Sequence, residues 1–198
     1  MSDEPATRTL VIRARSGDRD AFELLVRANY DRLYAVARRM TADASDAEDA
    51  TQDGFLRAWR EINRLRDPDR YDAWQLRLTI HACYDLLRGR RRRQLHATVR
   101  PIPDLRAQIE PEYVERERLN KAFSKLSVEH RAVVVLHFYR EMTAAEIGAT
   151  LGIPVGTVNS RLHYGIRALR GALEADDRRA EVSALTTSAQ RTSAIRTT

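Results

Sequence analysis

Residues 143–170 read TAAEIGATLGIPVGTVNSRLHYGIRALR, and they set the architecture of the C-terminal half of the chain. Thr143 is placed to cap a first helix, and Glu146, three residues later, is placed to complete a capping box. Pro154 marks the start of a second helix. Two short helices around the corner Leu151-Gly152-Ile153 are typical of a helix-turn-helix unit.

The second of these helices has one apolar and one polar face. Val158, Leu162, Ile166 and Leu169 recur at helical spacing and predict the buried side. The opposite side then presents Thr157, Ser160, His163, Tyr164 and Arg167. Polar side chains near a helix N-terminus suit base edges in the DNA major groove, and arginine suits phosphates, so this face predicts a DNA contact. A solvated helical hairpin is the alternative reading of the same residues.

Composition points to a polyanionic partner. The chain has 198 residues, a formal net charge of +6 and a pI near 9.9, which favour binding to phosphate groups. No apolar run is long enough to span a bilayer, and the start, MSDEPATRTL, lacks the pattern of a signal peptide. These features predict a cytoplasmic protein without membrane insertion. The single cysteine, Cys83, is predicted to be a packed side chain.

Sparse glycine and proline and long stretches of helical period predict an all-α protein. Helices are expected over residues 18–41, 46–62, 71–93, 113–126 and 129–139, followed by the helix-turn-helix. Three prolines, at positions 101, 103 and 111, indicate a flexible linker over residues 94–112. The predicted domains are therefore residues 1–93 and 113–173, and the Ser/Thr-rich residues 174–198 are predicted to be a disordered tail.

Three segments, one in the C-terminal half and two in the N-terminal half, together resemble the extracytoplasmic-function (ECF) sigma factors, the small two-domain initiation subunits of bacterial RNA polymerase in the sigma-70 superfamily. LSVEHRAVVVLHFYREMTAAEIGATLGIPVGTVNSRLHYGIRALR is similar to the domain-four helix-turn-helix of that family. DAEDATQDGFLRAW is similar to the helix that docks on the polymerase clamp. YDAWQLRLTIHACYDLLRGRRRR resembles the promoter-melting helix.

The resemblance implies partners and site residues. Residues 1–93 would be sigma domain 2, which docks on the beta and beta-prime subunits of core RNA polymerase and melts promoter DNA, and residues 113–173 would be sigma domain 4. The residues implied to bind core polymerase are Asp49, Gln52, Asp53 and Leu56. Those implied to contact the −10 promoter element are Arg64, Arg66, Asp69, Arg70, Tyr71, Trp74, Arg77, His81 and Arg88. Those implied to contact the −35 element are Gly156, Thr157, Asn159, Ser160, Arg161, His163, Tyr164 and Arg167.

Within the implied −10 set, Tyr71 and Trp74 are candidate platforms for a flipped base, although both also suit a core and Trp74 favours it. Gly54 lies inside the implied docking helix, where it is expected to cost about 1 kcal/mol relative to alanine. Members of the family are commonly held inactive by an anti-sigma factor, so such a partner is expected here.

Two other classes of function explain the sequence less completely than a sigma factor does. An enzyme would need a constellation that the sequence lacks, since there is no Gly-rich phosphate loop and the five histidines are scattered. No cofactor or metal is therefore expected. A stand-alone dimeric helix-turn-helix regulator explains residues 143–170 equally well, but it leaves the acidic helix, the aromatic helix and the linker without a purpose.

Overall fold

The computed structural model describes residues 4–96 and 111–195, and within these ranges the secondary structure is helical, with no strand. The all-α prediction is confirmed. The N-terminal half comprises α1 (Glu4–Arg15), α2 (Arg19–Thr41), α3 (Ala44–Glu61) and α4 (Tyr71–His96), and the short 3₁₀ helices Ile62–Arg64 and Pro68–Arg70 join α3 to α4. The C-terminal half comprises α5 (Pro111–Ser124), α6 (Val128–Phe138), α7 (Ala144–Leu151) and α8 (Val155–Ile195).

Local capping explains where the N-terminal helices begin and end. The Asp18 carboxylate accepts a hydrogen bond from the Ala21 amide at 3.0 Å and starts α2. Ala42 then adopts a left-handed conformation with φ 61°, which ends the helix. One residue later the Asp43 carboxylate accepts from the Asp46 amide at 2.9 Å and starts α3. The break predicted near residues 41–43 is this paired C-cap and N-cap.

The buried side chains form two clusters. The smaller one lies where α1 and the start of α2 meet the α3–α4 connection; its members are Val11, Ala14, Ala21, Leu25, Ile62, Leu65 and Tyr71. The larger one runs from α2, α3 and α4 into α6, α7 and α8 without a break. Each fully buried leucine or isoleucine contributes about 1.5–3 kcal/mol relative to exposure. The two halves of the chain therefore share a core.

The C-terminal half has the predicted order of helices but a longer last helix. The sequence predicts disorder over residues 174–198, whereas α8 continues to Ile195. Two ion pairs hold α8 against α5 near residue 176. Arg118 of α5 lies 2.6 Å from Asp177, and Lys125, which directly follows α5, lies 3.4 Å from Asp176. Sequence composition did not reveal those ion pairs. Most of the predicted linker, residues 97–110, lies outside the described ranges.

Candidate functional site

One side of α3 is free of packing and carries the four residues implied to bind core polymerase. Asp49 and Gln52 are exposed, and Leu56 is 54% exposed although it is apolar. The other side of the helix is buried, through Ala47, Ala50, Thr51, Gly54, Phe55 and Ala58. An exposed leucine flanked by acidic and amide side chains suits a protein partner with an apolar and partly basic surface.

Asp53, the fourth member of this set, has an internal role as well. Its carboxylate lies 2.6 Å from Arg57, and Arg57 also lies 2.9 Å from Asp85 of α4. Arg57 thus bridges the two helices, a contact that sequence reasoning missed. The i,i+4 spacing of Asp53 and Arg57 was the available signal.

The connection between α3 and α4 presents charged side chains to the surface. Arg64, Arg66, Asp69 and Arg70 are all exposed. Arg8 of α1 pairs with Asp69, and Arg70 lies 3.5 Å from Asp67. The Asp67 side chain caps the turn by accepting from the Asp69 amide at 3.0 Å. These contacts fix the conformation of the loop at its base, and its arginine side chains remain exposed to a ligand.

Tyr71 lies in the protein interior. It is a candidate stacking platform by sequence, but its side chain is 1% exposed and packs with Val11 and Leu25 in the smaller core cluster. Burial also raises the pKa of its hydroxyl far above the ordinary value. Trp74 is half-buried, with its ring centroid 6.1 Å from that of Tyr71. Of the two aromatic residues, only Trp74 reaches the surface.

Further along α4, Arg77 and Arg88 are exposed and His81 is partly buried. Burial, followed by the nearby Arg77 cation, lowers the pKa of His81 below its ordinary 6.5. The lowered pKa favours the neutral imidazole of His81, which offers hydrogen bonds rather than charge. Its ring lies 5.9 Å from that of Tyr84. This side of α4 combines two cations with two aromatic rings, a composition suited to single-stranded nucleic acid.

The helix-turn-helix has the predicted construction. Thr143 Oγ1 accepts from the Glu146 amide at 3.3 Å, and the Thr143 amide donates to Glu146 Oε2 at 2.8 Å, which completes the capping box. Gly152 adopts φ 69° and ends α7 in the left-handed conformation that glycine favours. Gly148 is also required, because a Cβ atom there would lie 2.9 Å from the Ile153 carbonyl oxygen.

The outward side of α8 carries the residues implied to contact the −35 element. Val158 and Leu162 are buried on the inner side as predicted. Tyr164 is 55% exposed, and its ring lies 5.3 Å from that of His163. Thr157 and Arg161 are partly buried; the exposed members of the set are Gly156, Asn159, Ser160, His163, Tyr164 and Arg167. The face is continuous, polar and cationic.

Gly165 positions the outward face of α8, although the sequence pattern did not single it out. A Cβ atom at Gly165 would lie 2.9 Å from Val134 Cγ2 of α6 and 3.4 Å from His130 Cβ. Only glycine lets α8 approach α6 this closely. The sequence did contain a sign of this role, because Gly165 follows Leu162 by three residues and therefore lies on the same inward side of the helix as the apolar residues.

Metal sites and membrane spans are both absent from the part of the chain that the structure describes. Its residues include no group of three or more His, Cys, Asp or Glu side chains arranged to hold a metal ion. None of the helices within the ranges 4–96 and 111–195 has the length and apolar character needed to cross a membrane.

Comparison with known proteins gives a consistent result. The model of sigma-70 region 2 matches residues 25–93, and that of sigma-70 region 4 matches residues 122–171. The chain is 36% identical over 181 residues to the ECF RNA polymerase sigma factor SigE of Mycolicibacterium smegmatis, covering 87% of this chain and 69% of that protein. It is 37% identical over 170 residues to the ECF RNA polymerase sigma factor SigL of Mycobacterium tuberculosis, covering 80% of this chain and 94% of that protein.

The fold is similar to that of a solved structure, CnrH in complex with the cytosolic domain of CnrY. The TM-score is 0.64 and the sequence identity is 29%, and the match covers 86% of this chain and 99% of that one.

Proposed function

Since the chain belongs to the ECF RNA polymerase sigma factors of the sigma-70 family, we propose a division of labour between its two halves. The protein is an alternative sigma factor, which binds core RNA polymerase and promoter DNA to start transcription and is not an enzyme. Residues 1–93 act as sigma domain 2, residues 113–173 act as sigma domain 4, and residues 94–112 link them. The proposed site of action is the cytoplasm.

The proposed polymerase contact is the exposed side of α3. Leu56 is the anchor, because a 54% exposed leucine gains most from burial in a partner. Asp49 and Gln52 form the polar rim of this contact, and Asp53, whose carboxylate also pairs with Arg57, adds negative charge. The proposal rests on one observation: an apolar residue is exposed at the centre of an acidic helix face.

The proposed −10 contact combines the α3–α4 loop with the exposed side of α4. Arg64, Arg66, Arg70, Arg77 and Arg88 supply cations for phosphates. Trp74 is the proposed stacking residue, Asp69 accepts hydrogen bonds at the loop, and neutral His81 offers a hydrogen bond to a base edge. Tyr71 is not proposed as a DNA contact. Its buried side chain is proposed to support the loop.

The proposed −35 contact is the outward side of α8. Gly156 and Thr157 lie at the helix N-terminus, where free backbone amides favour a phosphate. Asn159, Ser160, His163 and Tyr164 face the bases, and Arg161 and Arg167 bind the backbone. Support comes from the inward packing of Val158, Leu162 and Gly165, which fixes the direction of these side chains.

Reconstituted transcription tests the proposal. The full chain is combined with core polymerase and a genomic promoter library, and transcription starts are mapped. We expect specific starts that need both the chain and core polymerase, preceded by two sequence elements. The absence of core-dependent starts, or a footprint on a palindrome by the chain alone, would favour the dimeric regulator instead.

An anti-sigma protein is the proposed negative regulator. The support is that CnrH, at 29% identity over 86% of this chain, was solved in complex with CnrY. Co-expression with a candidate anti-sigma protein is expected to give a stoichiometric complex that no longer binds core polymerase. A complex that still binds core polymerase with unchanged affinity would contradict this role.

A further inference from the structure

Helix α1 packs against the loop that joins α3 to α4. The loop and the residue that follows it bury Ile62, Leu65 and Tyr71, none of which is more than 8% exposed. All three belong to the smaller core cluster, in which they meet Val11 and Ala14 of α1. The loop itself contains only two short 3₁₀ helices, so it has little internal structure to hold its shape. Its conformation therefore depends on packing against α1.

A hydrogen-bonded ion pair adds to this packing. The guanidinium of Arg8, in α1, donates to the carboxylate of Asp69, in the loop. The Asp69 amide in turn donates to the Asp67 carboxylate at 3.0 Å. The hydrogen bond with Asp69 raises the pKa of Arg8, and the nearby Asp67 carboxylate raises it further, so Arg8 lies close to both acidic residues. Asp69 is therefore fixed twice, at its backbone by the loop and at its side chain by α1.

The fixed carboxylate of Asp69 remains open to a ligand, because its side chain is 53% exposed. A carboxylate has two oxygen atoms that accept hydrogen bonds, so one can pair with Arg8 while the other meets a base. Carboxylates suit exocyclic amino groups such as cytosine N4, which a flipped base presents on its Watson–Crick edge. The paired arginine also offsets the repulsion between Asp69 and DNA phosphates. Asp69 and Arg8 together are suited to read an amino-bearing base.

The same cluster supports the aromatic residue proposed to stack on that base. Trp74 is partly buried against the cluster that contains Val11, and its ring centroid lies 6.1 Å from that of Tyr71. Packing on one side of a side chain restricts its rotamers and keeps its open side in a fixed direction. Both proposed base contacts, Trp74 and Asp69, therefore depend on α1, which precedes the residues that match sigma-70 region 2, 25–93.

We propose that α1 is a positioning element of the −10 contact, and that Arg8 directs the Asp69 carboxylate toward a flipped base that carries an exocyclic amino group. This role of Arg8 rests on the proposed function of the loop. Arg8 acts through Asp69 and does not touch the base. Without Arg8 the carboxylate remains present but is free to rotate, so its hydrogen bond to the amino group weakens. Thymine has no amino group and gains nothing from the ordered carboxylate, so loss of Arg8 lowers selectivity rather than overall binding.

The base selectivity of the holoenzyme tests this role. The full chain and core polymerase are assembled, and binding is measured to fork DNA whose single-stranded −10 segment comes from a mapped promoter. Each position of the segment carries each of the four bases in turn. Asp69→Ala identifies the position that Asp69 reads, as the one at which the preference for amino-bearing bases over thymine is lost. Affinity for core polymerase and the melting temperature are measured for every variant.

Arg8→Ala is expected to lower the preference at that position by about threefold to fivefold, within the range of one exposed ion pair, and to leave core binding within about twofold of wild type. Arg8→Lys keeps the charge and is expected to retain more of the preference than Arg8→Ala. Arg13→Ala is the matched control. Arg13 also lies on α1, its side chain is 52% exposed like that of Arg8, and it pairs at 2.8 Å with Asp18, in the α1–α2 connection rather than in the loop.

We expect Arg13→Ala to leave the base preference unchanged. Equal effects of Arg8→Ala and Arg13→Ala would overturn the proposal, and so would an equal loss of affinity for all four bases in Arg8→Ala.

A double variant separates action through Asp69 from a direct contact with DNA. In the Asp69→Ala background, Arg8→Ala is expected to change the base preference by less than about 1.5-fold, since the residue through which it acts is gone. A change as large as in the wild-type background would show that Arg8 contacts DNA itself and would overturn the positioning role.

Two further outcomes distinguish this role from the proposed function. If Asp69→Ala alters selectivity at no position although the wild-type holoenzyme binds the fork specifically, Asp69 is not the reader, and the role of Arg8 is refuted while the proposed function stands. If the wild-type holoenzyme binds the fork no better than core polymerase alone, the proposed function itself fails, and the role of Arg8 with it.

Two valine substitutions test the packing contribution of α1. Val11 and Val36 are both 0% exposed, but Val11 lies in the cluster that supports the loop, whereas Val36 lies in the larger cluster. Val11→Ala and Val36→Ala remove the same atoms from a core and are expected to lower the melting temperature similarly. At a temperature where both proteins are folded, only Val11→Ala is expected to reduce the preference at the Asp69 position, by about twofold or more. Equal preferences in the two variants would contradict the support of the loop by α1.

Discussion

Gly54 of α3 lies directly against Thr79 of α4. A Cβ atom at Gly54 would lie 2.7 Å from Thr79 Oγ1 and 3.0 Å from the Thr79 Cα. The first distance is shorter than real Cβ contacts, and the second is tight and involves backbone, which moves least. The glycine that looks unfavourable for a helix is therefore what allows the proposed clamp-binding helix to pack closely on the proposed melting helix.

Gly54→Ala is expected to destabilise the protein. The gain of about 1 kcal/mol in helix propensity is outweighed by overpacking, so we expect a net loss on the order of 1 kcal/mol in the free energy of unfolding. Chemical denaturation measures this directly. Gly171→Ala is the matched control, because nothing lies within 4 Å of its Cβ position in α8, and there a gain of about 0.5–1 kcal/mol is expected. A Gly54→Ala protein at least as stable as wild type would contradict the close packing.

Leu56→Asp is expected to weaken binding to core polymerase by about tenfold or more, since it places a charge where the partner buries an apolar residue. Its melting temperature should stay close to that of the wild type, because the side chain is exposed. Leu24→Asp is the control: Leu24 is 49% exposed but lies on α2, away from the α3 face. Similar losses of affinity in the two variants would show that α3 is not the contact.

Arg161→Ala is expected to weaken binding of the holoenzyme to promoter DNA and to leave core binding intact. Loss of one phosphate contact should lower the slope of log K against log salt concentration by about 1. Salt titrations of binding to a −35 duplex provide the measurement. Arg19→Ala, an exposed arginine at the start of α2, should leave the slope unchanged. Equal loss of core binding in Arg161→Ala would contradict the assignment of α8 to DNA.

The capping box predicts a pH dependence. Hydrogen bonds from the Thr143 amide, and then from its hydroxyl, lower the pKa of Glu146 below the ordinary 4.5. A depressed carboxyl pKa in the folded state contributes stability that is present above pH 4.5 and is lost as the pH falls through the folded-state pKa. Glu146→Gln should therefore be less stable than wild type near neutral pH, and the difference should shrink in acid. Thermal unfolding of both proteins across this pH range measures it; a constant difference would refute the charge dependence.

Cys83 is expected to be unreactive in the folded protein. Burial raises the pKa of its thiol to about 12, so the thiolate is scarce near neutral pH. Labelling with a chromogenic disulfide reagent should be slow in buffer and fast in guanidinium chloride. Ser45→Cys, which adds a thiol at an exposed position, should contribute one fast equivalent in buffer. Rapid labelling of wild-type Cys83 would show that the interior opens readily.

Local sequence patterns predicted the elements because each element depends on neighbouring residues. The helix expected over residues 46–62 is α3 (Ala44–Glu61), and the Thr143–Glu146 capping box is present as predicted. Patterns did not separate Tyr71 from Trp74, because burial of Tyr71 depends on Val11 and Leu25, which lie far away in sequence. A tyrosine at a helix start gives no sign of which neighbours will cover it.

The interface between the two halves was beyond sequence reasoning for a related reason. Arg131 bonds a backbone carbonyl 91 residues away, and every residue has such a carbonyl. No pattern of side chains marks Met40 as the partner. The polar face of α8, in contrast, was predictable, because solvent exposure of a helix follows from the period of its own apolar residues.

The contact of Gly165 with Val134 has a consequence for how this gene can diverge after duplication. It seats α8 on α6, so the exposed residue Asn159 is not needed for packing, whereas the ring of Tyr164 stacks on that of His130 in α6. Under the proposed function, a daughter gene can therefore acquire a new promoter preference at Asn159 without a change in the fold of its product. Residues 131–136 of α6 are buried and have no such freedom, so we expect them to be among the slowest-evolving positions in this lineage.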